Sequence, residues 1–64
     1  MKINKKIKTL RMQRRWTQSE LSKVSGISQP AISQFEKYNR LPSFTTLQRL
    51  ALAFGVSADY FLGI

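Results

Sequence analysis

An all-α fold of five short helices follows from three features of this 64-residue sequence. Apolar residues recur at helical spacing, Ser or Thr stands just ahead of each apolar run after the first, and Gly26 and Gly55 fall just past two of them. No segment reads as a strand. The expectation is one domain over residues 1–64, a compact five-helix bundle built around a helix-turn-helix at about 17–37.

Ile3, Ile7 and Leu10 recur at i, i+4 and i+7, which predicts a first helix over about 2–15, with lysines on its outer face. Asn4 offers a cap for a later start. Trp16 is expected to anchor the helix end in the core. Thr17 and Glu20 have the spacing of a capping box, opening a second helix that runs to Val24 or Ser25 with Leu21 and Val24 inward. Gly26 is expected to take the left-handed conformation past its end, and Ile27 to plug the turn into the core. Ser28 caps the third helix, Pro30 sits in its first turn where a missing N–H costs little, and the helix runs to about Lys37. Asn39 is placed to stop it. Ser43 or Thr45 caps a fourth helix with the stripe Leu47, Leu50, Ala51 and Phe54, ended by Gly55. Ser57 caps a short fifth helix. Phe44, Phe61, Leu62 and Ile64 are left as either core or interface.

Composition narrows the function. The formal charge is +8, and Lys2, Lys5, Lys6, Lys8, Arg11, Arg14 and Arg15 all precede the first acid, Glu20. Such a balance points to a polyanionic partner, nucleic acid or an anionic membrane surface. Cysteine and histidine are absent and Glu20, Glu36 and Asp59 are the only carboxylates, so no catalytic, metal or cofactor site is expected. There is no 18-residue apolar run and no secretory signal pattern, which predicts a cytoplasmic protein with no membrane partner.

Stepping about 100° per residue along the third helix turns Ile32 and Phe35 to the core. Pro30, Ser33 and Gln34 then bracket the opposite face, Gln29 lies at the N-terminal tip and Ala31 on the flank. Gln pairs bidentately with adenine, Ser donates or accepts, and Pro or Ala can touch a thymine methyl. By this reading no Arg or Lys lies on the face, so a preference for adenine and thymine is expected. The N-terminus of the second helix, with Gln18, is expected to meet a phosphate.

The landmarks Leu10-Arg11, Thr17-Gln18-Ser19-Glu20-Leu21, Ser25-Gly26-Ile27-Ser28, Ile32-Ser33-Gln34-Phe35-Glu36, Pro42-Ser43, Leu47 and Gly55-Val56-Ser57 resemble the lambda-repressor-like, Cro-type helix-turn-helix family. The resemblance covers about 7–63. It implies double-stranded DNA binding by a homodimer on a two-fold operator. It makes Gln29, Pro30, Ser33 and Gln34 the base-contacting set and puts Gln18, Lys37, Tyr38, Asn39 and Arg40 along the phosphates. It also implies an ion pair between Arg11 and Glu36. Three departures stand out. Tyr38 replaces a frequent glycine, which shifts the turn to Asn39 or gives a phosphate a hydroxyl partner. Pro30 replaces a hydrogen-bonding side chain. Trp16 replaces a smaller aliphatic residue, which predicts a modified core or an exposed patch.

The function expected is sequence-specific DNA binding by a transcriptional regulator, a repressor acting by operator occupancy. The alternatives are an antitoxin-type autoregulator or a protein-interaction module on the same fold. Membrane-surface binding by the first helix is weaker, because a small core needs Ile3, Ile7 and Leu10 for itself.

Overall fold

Five helices form where the apolar spacing puts them: α1 (Ile3–Gln13), α2 (Gln18–Ser25), α3 (Gln29–Lys37), α4 (Phe44–Phe54) and α5 (Ala58–Leu62). The computed structural model describes residues 2–38 and 40–63. The roles considered for Asn39 and Ile64 therefore lie outside the described residues. Each helix after α1 opens on a hydroxyl residue. The Thr17 hydroxyl accepts from the Glu20 N–H while the Glu20 carboxylate accepts from the Thr17 N–H, both at 3.0 Å. Ser28, Ser43 and Ser57 accept from Ala31, Thr46 and Asp59 N–H in the same way.

α1 is shorter at both ends than the apolar spacing predicts. It opens after Lys2 with no side-chain cap, and Asn4 is its second residue rather than its cap. The Asn4 Oδ1 is buried without a hydrogen-bond partner. At the far end Arg15 takes a positive φ of 56° and turns the chain toward α2.

Ile7 and Leu10 from α1, Leu21 from α2, Ile27 from the turn, Ile32 and Phe35 from α3, Leu47, Leu50, Ala51 and Phe54 from α4, and Phe61 from α5 make one continuous core. α3 rests on α1 and α2, while α4 rests on α2 and α5. Trp16 is half-buried, its ring stacked on Phe54 at 5.9 Å. It extends the core rather than leaving an exposed patch. Phe61 belongs to the core, whereas Phe44 and Leu62 face solvent.

Val24 departs from expectation: it is 54% exposed, and Ser25 takes the inward position. Ser25 meets its own polar needs there. Its hydroxyl donates to the Leu21 carbonyl at 2.7 Å and accepts from the Ile27 N–H at 3.2 Å. A small hydroxyl thus fits where α2 turns sharply into α3, and a branched apolar side chain is left outside.

The basic N-terminal run is partly consumed by the fold. Arg11 and Arg14 are half-buried. The Arg14 guanidinium donates to the Leu10 and Phe54 carbonyls, closing the C-terminal end of α4, and lies over the Phe54 and Trp16 rings. Lys6 donates to the Tyr60 carbonyl at 2.8 Å, tying α1 to α5. Lys2, Lys5, Lys8 and Arg15 stay exposed and carry the basic surface of this region.

Candidate nucleic-acid interface

The turn between α2 and α3 sets how α3 stands on the molecule. Gly26 adopts φ 74°, ψ 13°, and its N–H donates to the Ser22 carbonyl at 2.9 Å. An L side chain would be strained in this conformation. The Ser22 hydroxyl donates to the Ile27 carbonyl, and Ile27 is buried. Gly26, Ser22 and Ile27 therefore fix the angle between the helices through backbone geometry, a hydrogen bond and an apolar plug.

A second device locks α3 against α1. Arg11 Nε donates to Glu36 Oε2 at 2.8 Å, and Arg11 Nη2 donates to Glu36 Oε1 at 2.9 Å. The side chains are 14% and 4% exposed. The third branch, Arg11 Nη1, donates to the Trp16 carbonyl at 2.7 Å. A planar fork suits this geometry, which a lysine ammonium lacks. Chiefly through its hydrogen bond to Glu36, the Arg11 pKa is raised above its ordinary value, with burial opposing. A raised folded-state value makes Arg11's contribution complete below its unfolded pKa and lost only at strongly alkaline pH.

Gln18 joins this network from the start of α2. Its Nε2 donates to Glu36 Oε1 at 3.3 Å, and the side chain is half-buried. The amide is thereby held in place with one hydrogen still free. Beside it, the first N–H groups of α2 have no intrahelical acceptor and carry the positive end of the helix dipole. Neither the apolar spacing nor the capping pattern signals the link between Gln18 and Glu36.

Pro30 and Gln34 are exposed on the side of α3 opposite Ile32 and Phe35, with Ser33 half-buried beside them and Gln29 exposed at the N-terminal tip. Lys37, Tyr38 and Arg40 are exposed beyond them. One expectation fails, that no Arg or Lys lies on this face. Lys37 is the last residue of α3, where the helix is expected to end, and at about 100° per residue it falls between Ser33 and Pro30 on the same face. Arg40 also reaches this face from the loop, donating from Nη1 to Gln34 Oε1. The outer face is therefore not free of cations. The Lys37 position follows from the helical step, but the Arg40 contact depends on a loop path that periodicity cannot give. The Lys37 ammonium lies 5.6 Å from the centre of the Tyr38 ring. α3 ends with Tyr38 in an extended conformation.

Among the described residues no group of His, Cys, Asp or Glu is arranged to hold a metal ion, and no helix is long and apolar enough to cross a membrane.

The HTH-type transcriptional regulator ImmR of Bacillus subtilis (strain 168) is 33% identical over 63 residues, a match covering 98% of this chain and 50% of that protein. The chain thus spans about half the length of the curated relative it matches. A family model described as Helix-turn-helix matches residues 7–61, taking in α2, α3 and both partners of the Arg11–Glu36 pair. With that span matched on a lambda-repressor-like arrangement of five helices, the chain belongs to the Cro/C1-type helix-turn-helix family.

Proposed function

We propose that the chain binds double-stranded DNA sequence-specifically, with α3 in the major groove, and regulates transcription by occupying an operator. The observation that carries this reading is the asymmetry of α3. Its inner side is fixed by Ile32, Phe35 and the Glu36–Arg11 fork, while Pro30 and Gln34 stand exposed on its outer side and Gln29 at its N-terminal tip. A rigid helix with an amide-rich outer face suits the reading of base edges, and its N-terminal tip enters the groove in this docking mode. Gln29 at that tip is proposed to pair with adenine, with Pro30 and Ser33 in apolar and polar contact beside it.

Phosphates are assigned to the start of α2, where Gln18 is pre-positioned, and to Lys37, Tyr38, Asn39 and Arg40. The printed name of the B. subtilis relative, a transcriptional regulator, supports the regulatory role. Repression by occupancy, a homodimer on a two-fold site and a cytoplasmic location complete the proposal.

Selection of binding sites from random duplex DNA, with nonspecific competitor at about physiological salt, tests it. A two-fold motif with adenine in each half-site is expected, and its spacing gives the dimer geometry. Salt-sensitive retention with no recovered motif would overturn sequence-specific binding by this chain.

A further inference from the structure

The contact between Arg40 and Gln34 changes what the outer face of α3 can read. An amide such as Gln34 has two chemically different ends, an acceptor oxygen and a donor nitrogen. Adenine recognition uses both: the oxygen accepts from N6 and the nitrogen donates to N7. Here Oε1 of Gln34 is turned to the Arg40 guanidinium, which can only donate. In this contact the amide presents Nε2 as its free end. The oxygen retains a second lone pair, but a base amino group that approaches it also approaches the guanidinium N–H groups. Donor would face donor.

Cytosine N4 and adenine N6 both bring such an amino group to the major groove, and thymine offers a single acceptor, O4. Guanine presents two acceptors, O6 and N7, with no donor between them. It can take one hydrogen bond from Gln34 Nε2 and another from the guanidinium. Both side chains are exposed, and neither is needed by the core, so the pair is available to a ligand.

We propose that Arg40 is a specificity-determining residue, which orients Gln34 and turns this part of the face from an adenine reader into a guanine reader. The inference rests on the DNA-binding reading above, and it departs from the adenine–thymine preference expected of Gln34 alone and from the assignment of Arg40 to phosphate. Each half-site then has two different readers on one helix, Gln29 for adenine and the Gln34–Arg40 pair for guanine.

The experiment is site selection from random duplex DNA with the unaltered chain, Gln34→Ala and Arg40→Ala, each first shown to be folded by circular dichroism. The unaltered chain should select guanine at one position per half-site, and Gln34→Ala should lose the preference there and nowhere else. Arg40→Ala should move that same position from guanine toward adenine, a change in relative affinity on the order of ten-fold. If Arg40 meets only phosphate, Arg40→Ala will weaken all sequences alike, reduce the salt dependence and leave the selected base unchanged. That result overturns the inference and leaves DNA binding intact. A motif indifferent to Gln34→Ala does the same. Failure of the unaltered chain to select any motif overturns sequence-specific DNA binding and this inference together.

Discussion

α3 carries two contacts to arginine, one on each side. On the inner side Glu36 receives Arg11 in a two-pronged hydrogen bond, with little of either side chain exposed. On the outer side Gln34 receives Arg40 in full view of solvent. The donor chemistry is the same and the surroundings are opposite. Away from water, a guanidinium that loses its partner strands a charge, so the inner contact holds the helix in place. Against water, the outer contact is worth little to stability and leaves hydrogen-bonding groups free for a ligand. Burial, rather than residue type, separates the part of α3 that builds the fold from the part left open to a ligand.

Breaking the inner contact is the strongest way to test this division. Glu36→Ala should destabilise the chain by about 3–5 kcal/mol, since it leaves Arg11 charged and unpaired beneath α3. A domain of this size commonly has a total stability of about 3–10 kcal/mol, so the loss is a large fraction of the whole. Glu36→Gln keeps the shape and one acceptor and should fall between the two. Thermal and urea denaturation followed by circular dichroism give the values. Equal stability for Glu36→Ala and the unaltered chain would remove the pair as an anchor.

The turn that aims α3 comes next in size. Gly26→Ala should cost about 1–2 kcal/mol, because a left-handed backbone is unfavourable for any residue with a Cβ. The nearest atom to an added Cβ is Arg49 Nη1 at 3.8 Å, so space is available and the cost is conformational. Arg15, at φ 56°, gives the converse experiment. Arg15→Gly should raise stability by up to about 1 kcal/mol in the same assay. Thr17→Ala removes one side of the capping box at α2 and should cost about 1 kcal/mol. If Gly26→Ala proves neutral, the left-handed turn is not what orients α3.

The inner side of α3 was far more legible in the sequence than the outer one. Ile32 and Phe35 could be assigned inward because helical spacing and apolarity agree. Thr17 and Glu20 announce a capping box because the motif is local, four residues long, and needs no tertiary information. The Arg11–Glu36 partnership came from family resemblance, since nothing in a one-dimensional pattern joins residues on α1 and α3. Val24 is exposed against its apolarity because a small hydroxyl fits the tight turn better. Ser25 wins the inward place by bonding to Leu21 and Ile27, an option that hydropathy does not register. The seven N-terminal cations likewise differ in ways residue type does not show. Charge alone could not tell Arg11, Arg14 and Lys6, each bonded to a backbone carbonyl, from lysines that remain free for an anion. The Gln34–Arg40 contact was beyond reach because it depends on how the chain leaves α3.

The smallest expected change in stability belongs to Lys37, and it is informative for that reason. Lys37 is exposed at the end of α3, and its azimuth puts it over the same face as Ser33 and Pro30. In the docking proposed above, its distance from the N-terminal tip of the helix assigns it to the sugar-phosphate backbone rather than to the base edges. Lys37→Ala should therefore alter stability by less than about 0.5 kcal/mol. Its effect should appear instead in the salt dependence of DNA binding. The slope of log affinity against log salt should become shallower by about 0.9 per subunit, with the selected sequence unchanged. A titration at several salt concentrations on the selected site measures this directly. A change in the selected base with no change in slope would move Lys37 from the phosphates into the groove. The cationic part of base reading would then extend from the loop into α3 itself.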